Sequence, residues 1–331
     1  AEGHARITEQ IDPNAPLPKE DGLHTPDIFK ENKMTEAETA PLVDEAAALK
    51  TQEDRRQELM GKIEDPKLRE LGQEAIKNDP ELGKATTVKE LGEQLIAKHG
   101  PDHYISQILS ALLPHLPGGQ TVRTLPRAAY EKLREAAGLK EGTPAFFGSD
   151  HGIVLAEGRG TNSIYAAHEI AHAVLLDKIE AIRVLGKDHP QYEKLTKLLK
   201  DVEDVLQDVK SRIDTDNMDP SLRKLIKYGL DDPHEFISDG LFNPRMMAEL
   251  LKLDAKKPGF VSKLVKAVGE FLGFKTPGQY TAFHELLRTT ERLAKADLDA
   301  KPSTPGAKGA LAETSLAEAR AKKQEKVGGK F

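Results

Sequence analysis

Cysteine and tryptophan are both absent from the 331 residues. The first absence removes disulfide scaffolding, thiol nucleophiles and cysteine-ligated metals, so any metal here must be held by histidine and carboxylate groups. Aromatic residues make up only 5% of the chain, and a hydrophobic share of 38% is lean beside 31% charged residues. Part of the chain is therefore expected to stay outside a packed core. No apolar run approaches a membrane span, and the N-terminal stretch lacks the basic start and apolar core of a signal peptide. A net charge of −6 argues against a general nucleic-acid binder. Phosphate loops, dinucleotide-binding glycine patterns, nucleophile elbows and kinase signatures are missing, and Gly158-Arg159-Gly160 is too short to cradle a phosphate. The chain opens on Ala-Glu-Gly rather than Met, which suits a segment processed or excised from a longer polyprotein.

What is present divides into four stretches. Residues 1–33 carry Pro13, Pro16, Pro18 and Pro26 among charged side chains and are expected to form a flexible arm. Residues 34–116 read as a helical scaffold: Leu42, Val43, Ala46, Leu49, Leu59 and Ile63 recur at helical spacing, followed by amphipathic stretches over Val88–His99 and Tyr104–Leu113. Residues 117–299 hold the chemistry. Residues 300–331, rich in Ala, Lys, Gly and Glu, are expected to be a disordered basic tail, with weak attraction to nucleic acid or an acidic partner as the alternative.

Within 117–299, Thr121–Leu125, Pro144–Phe147 and Gly152–Ala156 read as strands, with a helix over Arg127–Ala137 ending at Gly138 and a hairpin turn at Gly148-Ser149-Asp150-His151. The last strand is expected to form the sheet edge on which an extended peptide can pair. From Tyr192 to Ile213, apolar residues at three-four spacing predict a long helix packed on the core. Further helices are expected over Leu222–Tyr228, around Glu235, and over Pro244–Leu253, Phe260–Leu272 and Pro277–Ala296, with Met246 and Met247 filling core space. The fold class is α+β, mostly α, with a small sheet and an N-terminal helical region.

The tract from Ser163 to Leu176 contains His168-Glu169-Ile170-Ala171-His172 in an Ala-rich helical setting, with Asn162 or Ser163 as N-cap. Residues four apart share a helix face, so His168 and His172 can direct imidazole nitrogens at one ion, with Glu169 placed to act as general base on a water. Downstream, in Tyr228-Gly229-Leu230-Asp231-Asp232-Pro233-His234-Glu235-Phe236-Ile237-Ser238-Asp239, Glu235 and Asp239 share a face. One suits a ligand and the other the carboxylate that orients a ligand histidine. His234 competes with Glu235 for the third position, but only one can face the ion squarely, and Glu235 is preferred because Asp239 lies on its face.

The two segments together resemble the gluzincin branch of the zincin metallopeptidases, over about Thr121–Ala296. The strand before the helix, the Tyr228–Ile237 segment and Asn243-Pro244 are similar to zincin-like domains of large phage polyproteins and virion-associated proteins. The resemblance implies a zincin-like metallopeptidase core over 117–299 and a Zn2+ cofactor. It implies His168, His172 and Glu235 as metal ligands, Glu169 as catalytic base and Asp239 as the carboxylate behind a ligand. It also implies a peptide or protein substrate, other virion proteins as partners, and a place in the virion or the host cytoplasm. The spacing from His172 to Glu235 is longer than in thermolysin-like members and requires a long helix between them. Tyr228, His234 and His284, in that order, are candidates to stabilise developing negative charge. A catalytically idle, zincin-fold virion structural protein is the alternative reading. His151 reads as a surface residue at the hairpin, and His4, His24, His99, His103, His115 and His189 show no ligand spacing among themselves.

Overall fold

The helices α1 (Pro66–Ala75), α2 (Val88–His99) and α3 (Tyr104–Leu112) precede the sheet in a computed structural model of the chain. The structure describes residues 60–139, 143–148, 152–255, 263–273 and 279–298, with positions 54, 57 and 58. The expected arm over 1–33, the tail over 300–331 and the hairpin turn with His151 lie outside the described residues. Each of these helices starts where a side chain satisfies an otherwise orphaned amide: Asp65 accepts from Leu68 N–H, Thr87 from Glu90 N–H and His103 from Ile105 N–H. Leu91, Leu95, Ile105, Ile108 and Leu109 are fully buried in the same hydrophobic core as Ile170 and Phe236. The helical stretch before the sheet thus shares one core with the elements that follow it.

The sheet has the order β1-β3-β2, built from β1 (Val122–Leu125), β2 (Ala145–Gly148) and β3 (Gly152–Ala156), with α4 (Arg127–Ala136) between β1 and β2. β1 runs parallel to β3, Val122 opposite Ile153, and β2 runs antiparallel to it, Phe146 opposite Val154. The expectation that the last strand forms the edge is therefore corrected. β3 is central, because a parallel neighbour needs a crossover, which α4 contributes on one side, while the short connection to β2 occupies the other. The edges are β1 and β2. Gly152 has φ +67°, and a Cβ there would stand 2.2 Å from the Thr121 carbonyl oxygen, so β1 and β3 can pair this closely only at a glycine.

Alternation along β3 sends Val154 and Ala156 to a small cluster with Tyr130 and Phe146, and Ile153 and Leu155 to the main core. Helix α4 covers the first face. The second carries α5 (Ser163–Arg183), begun by Asn162, whose side chain accepts from Tyr165 N–H. Helix α5 is buried on nearly every side, as an Ala- and Ile-rich helix must be.

The connection from α5 toward Glu235 is filled by α6 (Tyr192–Arg212) and α7 (Pro220–Gly229). The α6 stripe of Leu195, Leu198, Leu199, Val202, Val205, Leu206 and Val209 is buried. It packs on α5, on α8 (Pro233–Phe242) and on the terminal helix, numbered α11 (Ala282–Ala294) after α9 (Pro244–Leu251) and α10 (Lys263–Phe271). Helices α7, α8 and α9 each open on Pro at the first helical position, preceded by a capping Asp219, Asp232 or Asn243. Proline there loses no hydrogen bond and starts with helical φ. Met246 and Met247 are fully buried. No helix among the described residues is long and apolar enough to cross a membrane. The architecture is α+β and mostly α.

Candidate metal centre

Helix α5 projects His168 and His172 from one face, one turn apart, and its most extensive neighbour is α8, which carries Glu235. The two Nε2 atoms lie 2.9 Å apart. Glu235 Oε2 stands 3.4 Å from His168 Nε2 and 3.6 Å from His172 Nε2. Four ligands around zinc at about 2.0–2.1 Å, tetrahedrally arranged, are separated from one another by about 3.3 Å. The observed triangle has the size that donor set requires. Glu235 Oε2 is buried and aligned for a hydrogen bond with neither ring, as expected of a lone pair aimed at a shared point. These three residues form the only such group of potential ligands among the described residues.

Asp239, one turn beyond Glu235 and 6% exposed, places Oδ1 3.4 Å from His168 Nδ1. The two carboxylates thus address the two nitrogens of one ring. Asn243 donates its Nδ2–H to the same Oδ1 at 3.4 Å while its Oδ1 caps α9. Burial opposes a charge on His168, but the carboxylates of Asp239 and Glu235 outweigh it and hold its pKa well above the usual value. His172 is shifted down, first by burial, against the pull of Glu235. Burial would raise Glu235, yet His168 and His172 hold its carboxyl far below the carboxylate range. Three potential ligand atoms thus converge on one place, and a metal cation fits there.

Glu169, about 100° round the helix from His168, turns to the sheet. Its carboxylate accepts a hydrogen bond from Phe147 N–H on edge strand β2, and burial pushes its pKa up to about 7 against the lowering effect of His168. The Pro144 carbonyl accepts from Ala156 N–H, so by the antiparallel alternation the amides of Ala145 and Phe147 face away from β3. The outer edge of β2, unpaired with any other strand among the described residues, and the Glu169 carboxylate therefore border the same space.

Tyr228, at the end of α7, is 40% exposed and hydrogen-bonds Glu235. Burial and the neighbouring carboxylates push its phenol well up, so the hydroxyl keeps its proton. His234 lies beside the triad, its ring 5.3 Å from that of His172, but its Nε2 is 3.1 Å from Asp232 Oδ1. Asp232 is in turn 3.3 Å from Arg183 at the end of α5. The buried Nδ1 of His234 has no hydrogen-bond partner among the described residues, and the proton of Tyr228 is engaged by Glu235.

His284, the third expected donor, is 2% exposed and occupied with structure. Its Nδ1 accepts from Thr281 N–H at the start of α11, and its ring stacks on Tyr280. His99 and His103, which show no ligand spacing, meet by stacking at 4.4 Å, and His99 Nε2 bonds the Ser163 hydroxyl at 2.8 Å where α5 begins. The Asp232 and Phe147 contacts are absent from the sequence reading. Asp232 had a local signal, two residues before a histidine at an N-cap, whereas the Phe147 amide had none. No family model, curated protein or solved structure matches this chain.

Proposed function

We propose that this chain is a zinc-dependent peptidase built on a gluzincin-type zincin core and acting on peptide or protein substrates. The observation that carries the reading is the triangle of His168 Nε2, His172 Nε2 and Glu235 Oε2, with Asp239 behind one histidine and Glu169 beside the other face. Held by these residues, Zn2+ supplies Lewis acidity that polarises a carbonyl and makes water a competent nucleophile near neutral pH. The remaining work falls to side chains. Asp239 fixes the His168 ring through Nδ1, so that Nε2 stays on target. Glu169 accepts the proton of the attacking water at its carboxylate and passes it to the leaving amine. Phe147 N–H orients that carboxylate. The outward backbone groups of β2 give an extended substrate strand a partner alongside Glu169. The Tyr228 hydroxyl, once it turns from Glu235 to the substrate, is the donor for the charge that develops on the scissile carbonyl oxygen.

The phage or virion setting rests on the likeness of the strand before the helix and of the Tyr228–Ile237 and Asn243-Pro244 segments alone. Metal analysis of protein purified without chelator, followed by a broad peptide-library digest with parent and Glu169→Gln, tests the whole reading. About one zinc per chain and cleavage by the parent only are expected. Protein without zinc overturns the reading. Zinc without cleavage replaces it with the idle, structural alternative.

A further inference from the structure

Gly229 occupies the last turn of α7 with an ordinary negative φ, and the helix is capped one residue later by Leu230 in right-handed geometry. Nothing in its backbone calls for glycine, which is the poorest helix former after proline. What a side chain there would press on is Asp239. A Cβ at position 229 would stand 3.1 Å from Asp239 Oδ2 and 3.3 Å from Asp239 Cβ. Oδ2 is buried and has no hydrogen-bond partner among the described residues, while Oδ1 faces His168 Nδ1 at 3.4 Å. Any larger residue therefore pushes on the carboxylate that orients a proposed ligand. The neighbouring residue on α7 is Tyr228, whose hydroxyl reaches Glu235 across the same contact between α7 and α8.

We propose that Gly229 is a positioning residue of the metal centre. Its missing Cβ lets α7 close against Asp239, so that this carboxylate holds His168 and Tyr228 reaches Glu235. The proposal rests on the zinc reading above and adds a specific steric requirement to it.

The test is a double-variant cycle in zinc affinity, measured on the full chain by competition with a chromogenic chelator. Gly229→Ala is expected to raise the zinc Kd by about 10–100-fold, the usual scale for disturbing a group behind a ligand. Gly61→Ala, whose Cβ meets nothing within 4 Å, should leave it at the parent value. Asp239→Ala should weaken zinc on its own, and adding Gly229→Ala to it should cost nothing further, because the carboxylate that the new Cβ would displace is gone and only the 3.3 Å contact with the Cβ of residue 239 remains. Parent-like affinity of Gly229→Ala, or losses that multiply in the double variant, overturns the proposal. Should Gly229→Ala alone fail to fold, Asp239→Ala against the double variant decides: equal Kd supports the proposal, and further weakening or a double variant that also fails to fold overturns it. A parent chain without zinc affinity sinks the zinc reading and this proposal together. A parent that binds, with only Asp239→Ala impaired, sinks the positioning role alone.

Discussion

Asp239 and His168 meet at 3.4 Å, carboxylate Oδ1 to imidazole Nδ1, while the other nitrogen of the same ring faces Glu235 and His172. One turn of α8 thus supplies both the carboxylate that joins the triad and the carboxylate that aims one of its members. The contact ranks the residues by how directly each acts on a bound ion.

Replacing Glu169 by Gln separates binding from chemistry. The amide is isosteric and cannot accept the water proton, so the variant should keep zinc and its melting temperature while hydrolysis falls by at least about 100-fold. Initial rates on any peptide the parent cleaves give the answer. Parent-like rates would remove the general-base role.

The ligand series should show a graded loss of zinc. His172→Ala and Glu235→Ala each delete a corner of the triangle and should weaken binding by orders of magnitude. Asp239→Asn disturbs only the aim of His168 and should cost about 10–100-fold. His234→Ala should retain metal, since the His234 Nε2 already serves Asp232. Equilibrium dialysis across the four variants ranks them. Zinc lost with His234 and kept without Glu235 would reverse the assignment of the third position.

Metal removal should lower stability in proportion to saturation. A ligand present at about 100 times its Kd stabilises the native state by about 2.7 kcal/mol. Chelator should therefore depress the parent's melting temperature by several degrees and leave that of His172→Ala unmoved. Calorimetric scans with and without chelator measure the difference, and equal shifts in both proteins would place the stabilising metal elsewhere.

Acid should destabilise the fold below pH 6.5 through histidines that have no part in the triad. Burial pushes His99, His103 and His284 down to about 4, whereas unfolded histidine titrates near about 6.5. Between those values the unfolded chain binds more protons, so stability rises with pH there. It is complete above about 6.5 and lost as pH falls through about 4. His284→Gln preserves the cap at Thr281, because glutamine serves at that position, and removes one titrating group. Denaturant unfolding in chelator at stepped pH should show a slope shallower by one proton in the variant. An unchanged slope would mean that His284 titrates normally in the fold.

Local order was readable along the chain because helical periodicity and capping act within a few residues. Asn162 before Ser163, and Asp232-Pro233 and Asn243-Pro244 before their helices, announce three helix starts without reference to anything distant. The spacing of His168 and His172 already puts both rings on one face, and the stripe from Leu195 to Val209 already demands a partner surface. Strand order was not readable in the same way. Both β1 and β2 can pair with β3, and only the crossover through α4 together with the short connection to β2 makes β3 central and leaves the β2 edge beside Glu169.

The donor set and the helix that bears two of its members are properties of residue identity and spacing, since without cysteine only histidine and carboxylate remain and a helical turn aligns positions four apart. The meeting of Glu235 with those histidines depends instead on how α8 packs against α5. So does the clearance at Gly229, which as a letter in the sequence is an ordinary helix-end glycine and in space is the gap that Asp239 fills. Contacts between elements far apart along the chain are selected by burial of the whole core, a sum over many side chains that no single segment encodes.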